Sequence, residues 1–120
     1  MKRLCVVAFV LGAAVMARAQ APDRAAGSAP AGNADAGKKL FVGVGCYQCH
    51  GYEAQGSSAT GPRLGPRPIA FAAFSRYVRQ PSAQMPPYTA KVVSDADLAN
   101  IYAFVRSRPE PAKQIPLLSQ

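Results

Sequence analysis

The sequence predicts an all-α domain with long loops. Three segments carry apolar residues at helical spacing, and capping or stop residues stand at their ends. The stretch 52–67 is interrupted by Gly and Pro too often to form a hydrogen-bonded ladder. We therefore expect three or more short helices and no sheet.

The first predicted helix begins after Asn33 or Asp35, since either side chain can cap it. Gly43 and Gly45 end it. Its apolar face is formed by residues at i, i+3, i+4 and i+7, namely Gly37, Leu40, Phe41 and Val44.

The second predicted helix runs from Pro68, which suits a first-turn position, to about Gln80, and Pro81 closes it. Four large apolar residues are spaced to form one face, namely Phe71, Phe74, Tyr77 and Val78.

The last predicted helix has the strongest start signal, because Ser94 and Asp97 match a capping box. Pro109 stops it, and Arg106 and Arg108 lie near its negative end. Its apolar face consists of Leu98, Ile101, Tyr102 and Val105.

Residues 1–19 have the pattern of a secretory signal peptide. Lys2 and Arg3 precede an uncharged apolar run, which ends in the small-residue site Ala17-Arg18-Ala19. The run is shorter than the roughly 20 residues that span a bilayer, so a retained membrane anchor is the less favoured interpretation. We expect a mature chain that begins near Gln20 and lies in the periplasm without a membrane span.

The rest of the chain divides into three parts. Residues 20–32 are rich in Ala, Pro and Gly and predict a flexible tether. The expected domain covers 33–107, and an extended tail containing prolines covers 108–120. Three apolar residues of this tail could dock on the domain or on a partner: Ile115, Leu117 and Leu118.

The 120 residues allow one domain at most, and Ala dominates the apolar composition. A core so poor in large side chains usually needs a disulfide, a metal or a cofactor for stability. Signal cleavage lowers the formal net charge from +8 to +5, since it removes three basic residues. The mature chain keeps two cysteines, one histidine and one methionine, namely Cys46, Cys49, His50 and Met85.

The segment Cys46-Tyr47-Gln48-Cys49-His50 is a Cys-x-x-Cys-His motif, the attachment sequence of c-type haem. Two thiols one helical turn apart can add to the two vinyl groups of one haem, and the adjacent imidazole can bind the iron. We expect one covalently attached haem c per chain.

Three other interpretations of the motif compete with haem attachment. A thioredoxin-like redox pair needs a βαβ context, which this chain lacks. A structural zinc site needs four ligands, and the mature chain has only two Cys and one His. A plain disulfide between Cys46 and Cys49 stays open in an oxidising compartment but explains neither His50 nor the small core.

Residues 34–107 resemble a small bacterial class I cytochrome c. The order of residues at the first helix and haem site matches that family through Gly37, Phe41, Gly45, Cys46, Cys49, His50 and Gly51. Three later segments match as well: Gly61-Pro62-Arg63-Leu64 after the haem site, the axial-methionine loop Met85-Pro86-Pro87-Tyr88, and the closing helix 97–107.

The resemblance implies the class I cytochrome c fold, with short helices around a covalent haem. It implies that Gly37 and Phe41 pack against Ile101 and Phe104, where the first and last helices cross. It also implies that the carbonyl of Pro62 accepts a hydrogen bond from the imidazole of His50. Arg63, as a partner of a haem propionate, and Tyr88 complete the expected haem pocket.

Met85 is the expected sixth ligand of the iron. A lone Met is more often a core residue, but Met85 lies in a Pro-rich loop, and His/Met pairing is known for cytochromes c. Two axial ligands leave no open position, so we expect a one-electron carrier and no enzyme. The alternatives are a haem-based ligand binder or weak peroxidase in which Met85 does not bind iron, and a copper-handling protein.

The expected partners are proteins that donate or accept electrons. The donor could be a periplasmic dehydrogenase, with this chain as its cytochrome subunit, and the acceptor another cytochrome or a terminal oxidase. No nucleic acid partner is expected, since no binding motif accompanies the basic charge. Basic residues that could surround the haem edge and attract an acidic partner are Arg63, Arg67, Arg76, Arg79 and Lys91.

Overall fold

The computed structural model describes residues 29–112. Within this range the only strand-like pairing is an isolated bridge between Ser57 and Gly61, so the all-α prediction is confirmed. The predicted signal peptide, the first part of the tether and the tail residues 113–120 lie outside the described residues. The elements in order are α1 (Ala34–Gly43), α2 (Tyr47–His50), α3 (Phe71–Arg79) and α4 (Asp95–Arg106).

The starts of α1 and α4 are capped as the sequence predicts. The Asn33 side chain accepts a hydrogen bond from the Ala36 backbone N–H at 2.8 Å. Ser94 and Asp97 form a reciprocal capping box, with each side chain bonded to the other residue's backbone N–H. Asn33 also donates its own N–H to Oδ1 of Asn100 at 2.8 Å, which ties the start of α1 to the middle of α4.

The core forms where α1 crosses α4. A Cβ atom on Gly37 would lie 1.9 Å from the backbone oxygen of Asn100, so the two helix backbones touch at this point. One turn further on, the rings of Phe41 and Phe104 pack with centroids 5.2 Å apart, and both side chains are fully buried. Ile101 is buried beside them. The crossing implied by the family resemblance is confirmed.

Helix α3 begins at Phe71 rather than at Pro68. The Ile69 carbonyl, which would belong to the first turn of a helix starting at Pro68, accepts a hydrogen bond from the hydroxyl of Tyr102 at 3.0 Å. Ala70 instead stands before α3 with an extended backbone. The predicted start at Pro68 is therefore three residues too early.

The apolar face predicted for α3 is only partly buried. Phe74 and Val78 belong to the core, and Phe71 packs edge-on against Tyr102 with centroids 5.2 Å apart. Tyr77 was expected on the same face but is 39% exposed. Together with Ile69 and Ala73 it lines a shallow groove of about 370 Å³ on the outer side of α3.

Residues on both sides of the predicted domain also contact it. Ala29 packs against the core, and a Cβ on Gly32 would meet the backbone oxygen of Ala99 at 2.3 Å, so the end of the predicted tether lies on α4. After α4, the guanidinium of Arg108 stacks over the Phe104 ring at 4.1 Å. Glu110 pairs with Arg67 at 3.0 Å.

An ion-pair network joins the two ends of the domain to the loop after α2. Glu53 pairs with Lys38 on α1 and with Arg108 beyond α4. The positive charges of Lys38, the larger contributor, and of Arg108 hold the pKa of the Glu53 carboxyl below its ordinary value.

No helix within residues 29–112 is long and apolar enough to cross a bilayer.

The contact at Gly37 leads to a stability prediction. Gly37→Ala should lower the free energy of unfolding by roughly 1–3 kcal/mol, the usual cost of overpacking, because the new methyl group must push α1 away from α4. Denaturant unfolding of the haem-loaded protein measures this change.

Gly43→Ala is the matched control, since nothing lies within 4 Å of a Cβ added at that position of the same helix. Alanine there should keep or raise stability by roughly 0.5–1 kcal/mol. Equal stability of the two variants would show that the helices separate at no cost.

Candidate haem site

Both cysteines and the histidine of the motif lie on one helical turn. The Val44 N–H closes α1 on the Leu40 carbonyl, and α2 follows with Cys46 at its N-cap. The His50 backbone N–H bonds to the Cys46 carbonyl at 3.1 Å, so Cys46 and Cys49 are separated by one turn. Both thiols are free and no disulfide joins them; Cys46 is half-buried and Cys49 exposed.

The imidazole of His50 is buried, and its orientation is fixed. Its Nδ1 lies 2.8 Å from the carbonyl oxygen of Pro62, which is the contact implied by the family resemblance. A carbonyl oxygen can only accept a hydrogen bond, so the proton of the neutral ring must be on Nδ1. The lone pair of Nε2 is then available for a metal ion.

The loop after α2 is built closely around this histidine. Gly56 donates its N–H to the His50 carbonyl at 2.7 Å, and the Thr60 hydroxyl donates to the Cys49 carbonyl at 2.8 Å. Gly61 lies directly against the ring, since a Cβ there would be 3.2 Å from Nδ1 and from Cε1. Any larger residue at 61 would press on the imidazole.

Met85 lies in the segment between α3 and α4. Its side chain is half-buried and packs against the core, as do Cys46 and Tyr88. The hydroxyl of Tyr88 donates to the Val44 carbonyl at 3.1 Å, which joins the methionine loop to the end of α1, just before Cys46. The structure thus attaches the loop of the predicted sixth ligand to the cysteine segment.

Burial also affects the acidity of groups at this junction. It raises the pKa of the Cys46 thiol, and it raises the pKa of the Tyr88 hydroxyl, with a further contribution from Cys46. Tyr47 and Tyr52 were expected as walls or rim of the haem pocket, but the stacking of their rings, 4.4 Å apart, was not predicted. A hydrogen bond to Tyr47 raises the pKa of Tyr52. Their five-residue separation gives no helical signal that could have revealed this pair.

The predicted basic cluster separates into different environments. The guanidinium of Arg79 is only 20% exposed and donates to two backbone carbonyls and to Asp95, so Arg79 is not one of the freely exposed basic residues. Arg67 is exposed and paired with Glu110. Arg63, Arg76 and Lys91 are exposed and form no ion pair within residues 29–112. A propionate partner role for Arg63 stays a prediction.

The residues present fit a c-type haem. Two free thiols one turn apart suit its two vinyl groups, and the imidazole beside them presents a free Nε2 lone pair. Met85 can supply a thioether from a loop held near the same turn. Within residues 29–112, no group of three or more His, Cys, Asp or Glu side chains could hold a metal ion by itself.

Comparison with known families agrees with this geometry. The family model described as cytochrome c oxidase, cbb3-type, subunit III matches residues 32–105. The match extends from the residue before the Asn33 cap to the last turn of α4, and therefore includes the cysteine motif and the methionine loop. The chain belongs to this family: it is a small c-type cytochrome with the all-α cytochrome c fold, a haem protein of electron transfer.

Proposed function

We propose that this protein is a periplasmic one-electron carrier with a single haem. Cys46 and Cys49 would hold the haem through thioether bonds, and the imidazole of His50 and the thioether of Met85 would ligate its iron. Each thioether forms when an S–H adds across a vinyl group, so no atom is lost. The observation that carries the proposal is the hydrogen bond from Nδ1 of His50 to the Pro62 carbonyl, because it leaves Nε2 free beside two unpaired thiols.

When bound, the haem supplies an iron that takes up and releases one electron. The contribution of the chain is to set the two ligands and the surroundings. His50 presents a fixed imidazole, and the soft thioether of Met85 favours ferrous iron and so raises the potential.

The proposed export explains the segment before the tether as a signal peptide. We place a cleaved signal peptide at 1–19, a tether at 20–32, the cytochrome domain at 33–107 and a tail at 108–120. Gly32 and Glu110, near the inner ends of the proposed tether and tail, contact the domain. N-terminal sequencing of the exported protein tests the cleavage site.

The proposed partners are redox proteins of the respiratory chain. The donor is a periplasmic dehydrogenase, of which this chain could be the cytochrome subunit, and the acceptor is a cytochrome or a terminal oxidase. The exposed cations Arg63, Arg76 and Lys91 favour a partner with an acidic docking surface.

The covalent link is tested by Cys49→Ala. This variant should accumulate almost no haem-stained protein on a denaturing gel, since one of the two thioethers is lost and the small core cannot hold the chain without its cofactor. Gln48→Ala, which changes an exposed residue between the two cysteines, should keep full staining and the mass of one haem. A folded, soluble and haem-free Cys49→Ala protein would show that the core does not depend on the haem.

The sixth ligand is tested by Met85→Ala. The oxidised variant should lose the far-red sulfur-to-iron band, its potential should fall, and its reduced form should bind carbon monoxide, because one coordination position opens. Ser82→Ala in the same loop is the control and should keep the wild-type spectrum. A wild type that lacks the band and binds carbon monoxide would contradict ligation by Met85 and support the alternative of a ligand binder or weak peroxidase.

Docking by charge is tested with two small oxidants of opposite charge. The reduced protein should react faster with ferricyanide at low salt than at high salt, and hexaammineruthenium(III) should show the opposite dependence. The double variant Arg63→Gln and Lys91→Gln removes two positive charges. Its rate of reaction with ferricyanide should therefore depend less on salt. Rates that are indifferent to salt with both oxidants would contradict an attractive basic surface.

A further inference from the structure

One guanidinium binds at three points around the segment that connects α3 to α4. Arg79 is the last residue of α3, and its Nη1 donates to the carbonyls of Tyr88 at 2.9 Å and Val93 at 2.7 Å. Its Nη2 donates to Oδ1 of Asp95 at 2.7 Å. The side chain is only 20% exposed, whereas the carboxylate of Asp95 is 86% exposed. The two backbone carbonyls are therefore the more sheltered partners.

The first of these contacts closes the loop that carries Met85. Tyr88 follows Met85 by three residues, and its backbone N–H donates to the Val78 carbonyl at 3.0 Å. The guanidinium of Arg79 donates a hydrogen bond to the carbonyl of Tyr88 as well. Both polar backbone groups of Tyr88 are thus bound to the last turn of α3, so the chain from 80 to 88 is a loop fastened at its base.

The second contact fixes the other side of the segment. Val93 is fully buried and stands directly before the Ser94 cap of α4. Because Arg79 binds Val93 and Tyr88 through the same nitrogen, it sets the spacing between the methionine loop and the start of α4.

We infer that Arg79 is a positioning residue that holds the Met85 loop in place, so that the thioether stays on the iron. The inference rests on the proposed His/Met ligation. A rigid, planar, charged donor suits this task because it can serve several acceptors in fixed directions. A lysine would keep the charge but has a single nitrogen on a flexible stem, so it would hold fewer of these acceptors.

Loosening of the loop can be measured as the ease with which Met85 leaves the iron. Imidazole added to the ferric protein must take the position of Met85, so its apparent affinity scales with the fraction of molecules in which the thioether is detached. A loop that opens more often gives a larger fraction and tighter apparent binding. Global stability does not enter this measurement as long as the protein stays folded.

The experiment compares imidazole titrations of the haem-loaded wild type and Arg79→Lys, followed by loss of the far-red sulfur-to-iron band. We expect Arg79→Lys to bind imidazole at least tenfold more tightly, equivalent to about 1.4 kcal/mol. Asp95→Asn should change the affinity far less, because an exposed ion pair contributes little. An affinity for Arg79→Lys within twofold of the wild type would overturn the inference.

Arg108→Lys is the matched control for a purely structural arginine. Arg108 is also mostly buried, at 18% exposed, and it donates to the Phe104 carbonyl and pairs with Glu53, away from the methionine loop. This variant should lose stability in denaturant but keep the wild-type affinity for imidazole. If Arg108→Lys raises the affinity as much as Arg79→Lys does, Arg79 has no special position and the inference fails.

A second measurement separates this inference from the ligation proposal. Hydrogen exchange of the haem-loaded protein reports directly on the backbone N–H of Tyr88, bonded to Val78, and that of Val93, bonded to Thr89. In Arg79→Lys both amides should exchange at least tenfold faster. In Arg108→Lys, the exchange rates of these two amides relative to those of the α4 amides should stay unchanged. A wild type without the far-red band refutes Met85 ligation alone; unchanged exchange in Arg79→Lys refutes the role of Arg79.

Discussion

The close approach of α1 and α4 at Gly37 is the constraint on which the rest of the domain depends. The two helix backbones touch there, so Phe41 and Phe104 can meet and form the centre of a very small core. The C-terminal end of α1 leads within a few residues to Cys46, while the start of α4 receives the segment that carries Met85. One helix crossing therefore determines where both sides of the haem site begin.

The loops between these helices are ordered mainly by polar contacts to backbone carbonyls. Thr60 binds Cys49, Tyr88 binds Val44 and Tyr102 binds Ile69, each through a side-chain hydroxyl and a carbonyl oxygen. Such contacts order irregular chain without large apolar side chains, which this composition lacks. A domain with little core can in this way present a well-defined site.

The sequence was sufficient to predict features with a local signal. The capping box at Ser94, the ends of α1 and the helical turn of the cysteine motif all follow from spacing and residue type, and the structure contains them. Two contacts between distant residues, the crossing of α1 with α4 and the bond between His50 and Pro62, were expected only from the family resemblance. Other features set by distant partners could not be predicted. The hydroxyl of Tyr102 binds a carbonyl 33 residues away, and Arg79 binds carbonyls up to 14 residues away, so in sequence Arg79 looks like any other surface arginine.

The carbonyl of Pro62 has a consequence for the speed of electron transfer. It holds the imidazole of His50 in one orientation, with Gly61 against the ring and the neighbouring carbonyls already bonded. A ligand fixed before the electron arrives does not need to move when the charge of the iron changes. With the proposed ligation by His50, this side of the haem would contribute little reorganisation energy, because the backbone already holds the imidazole in place.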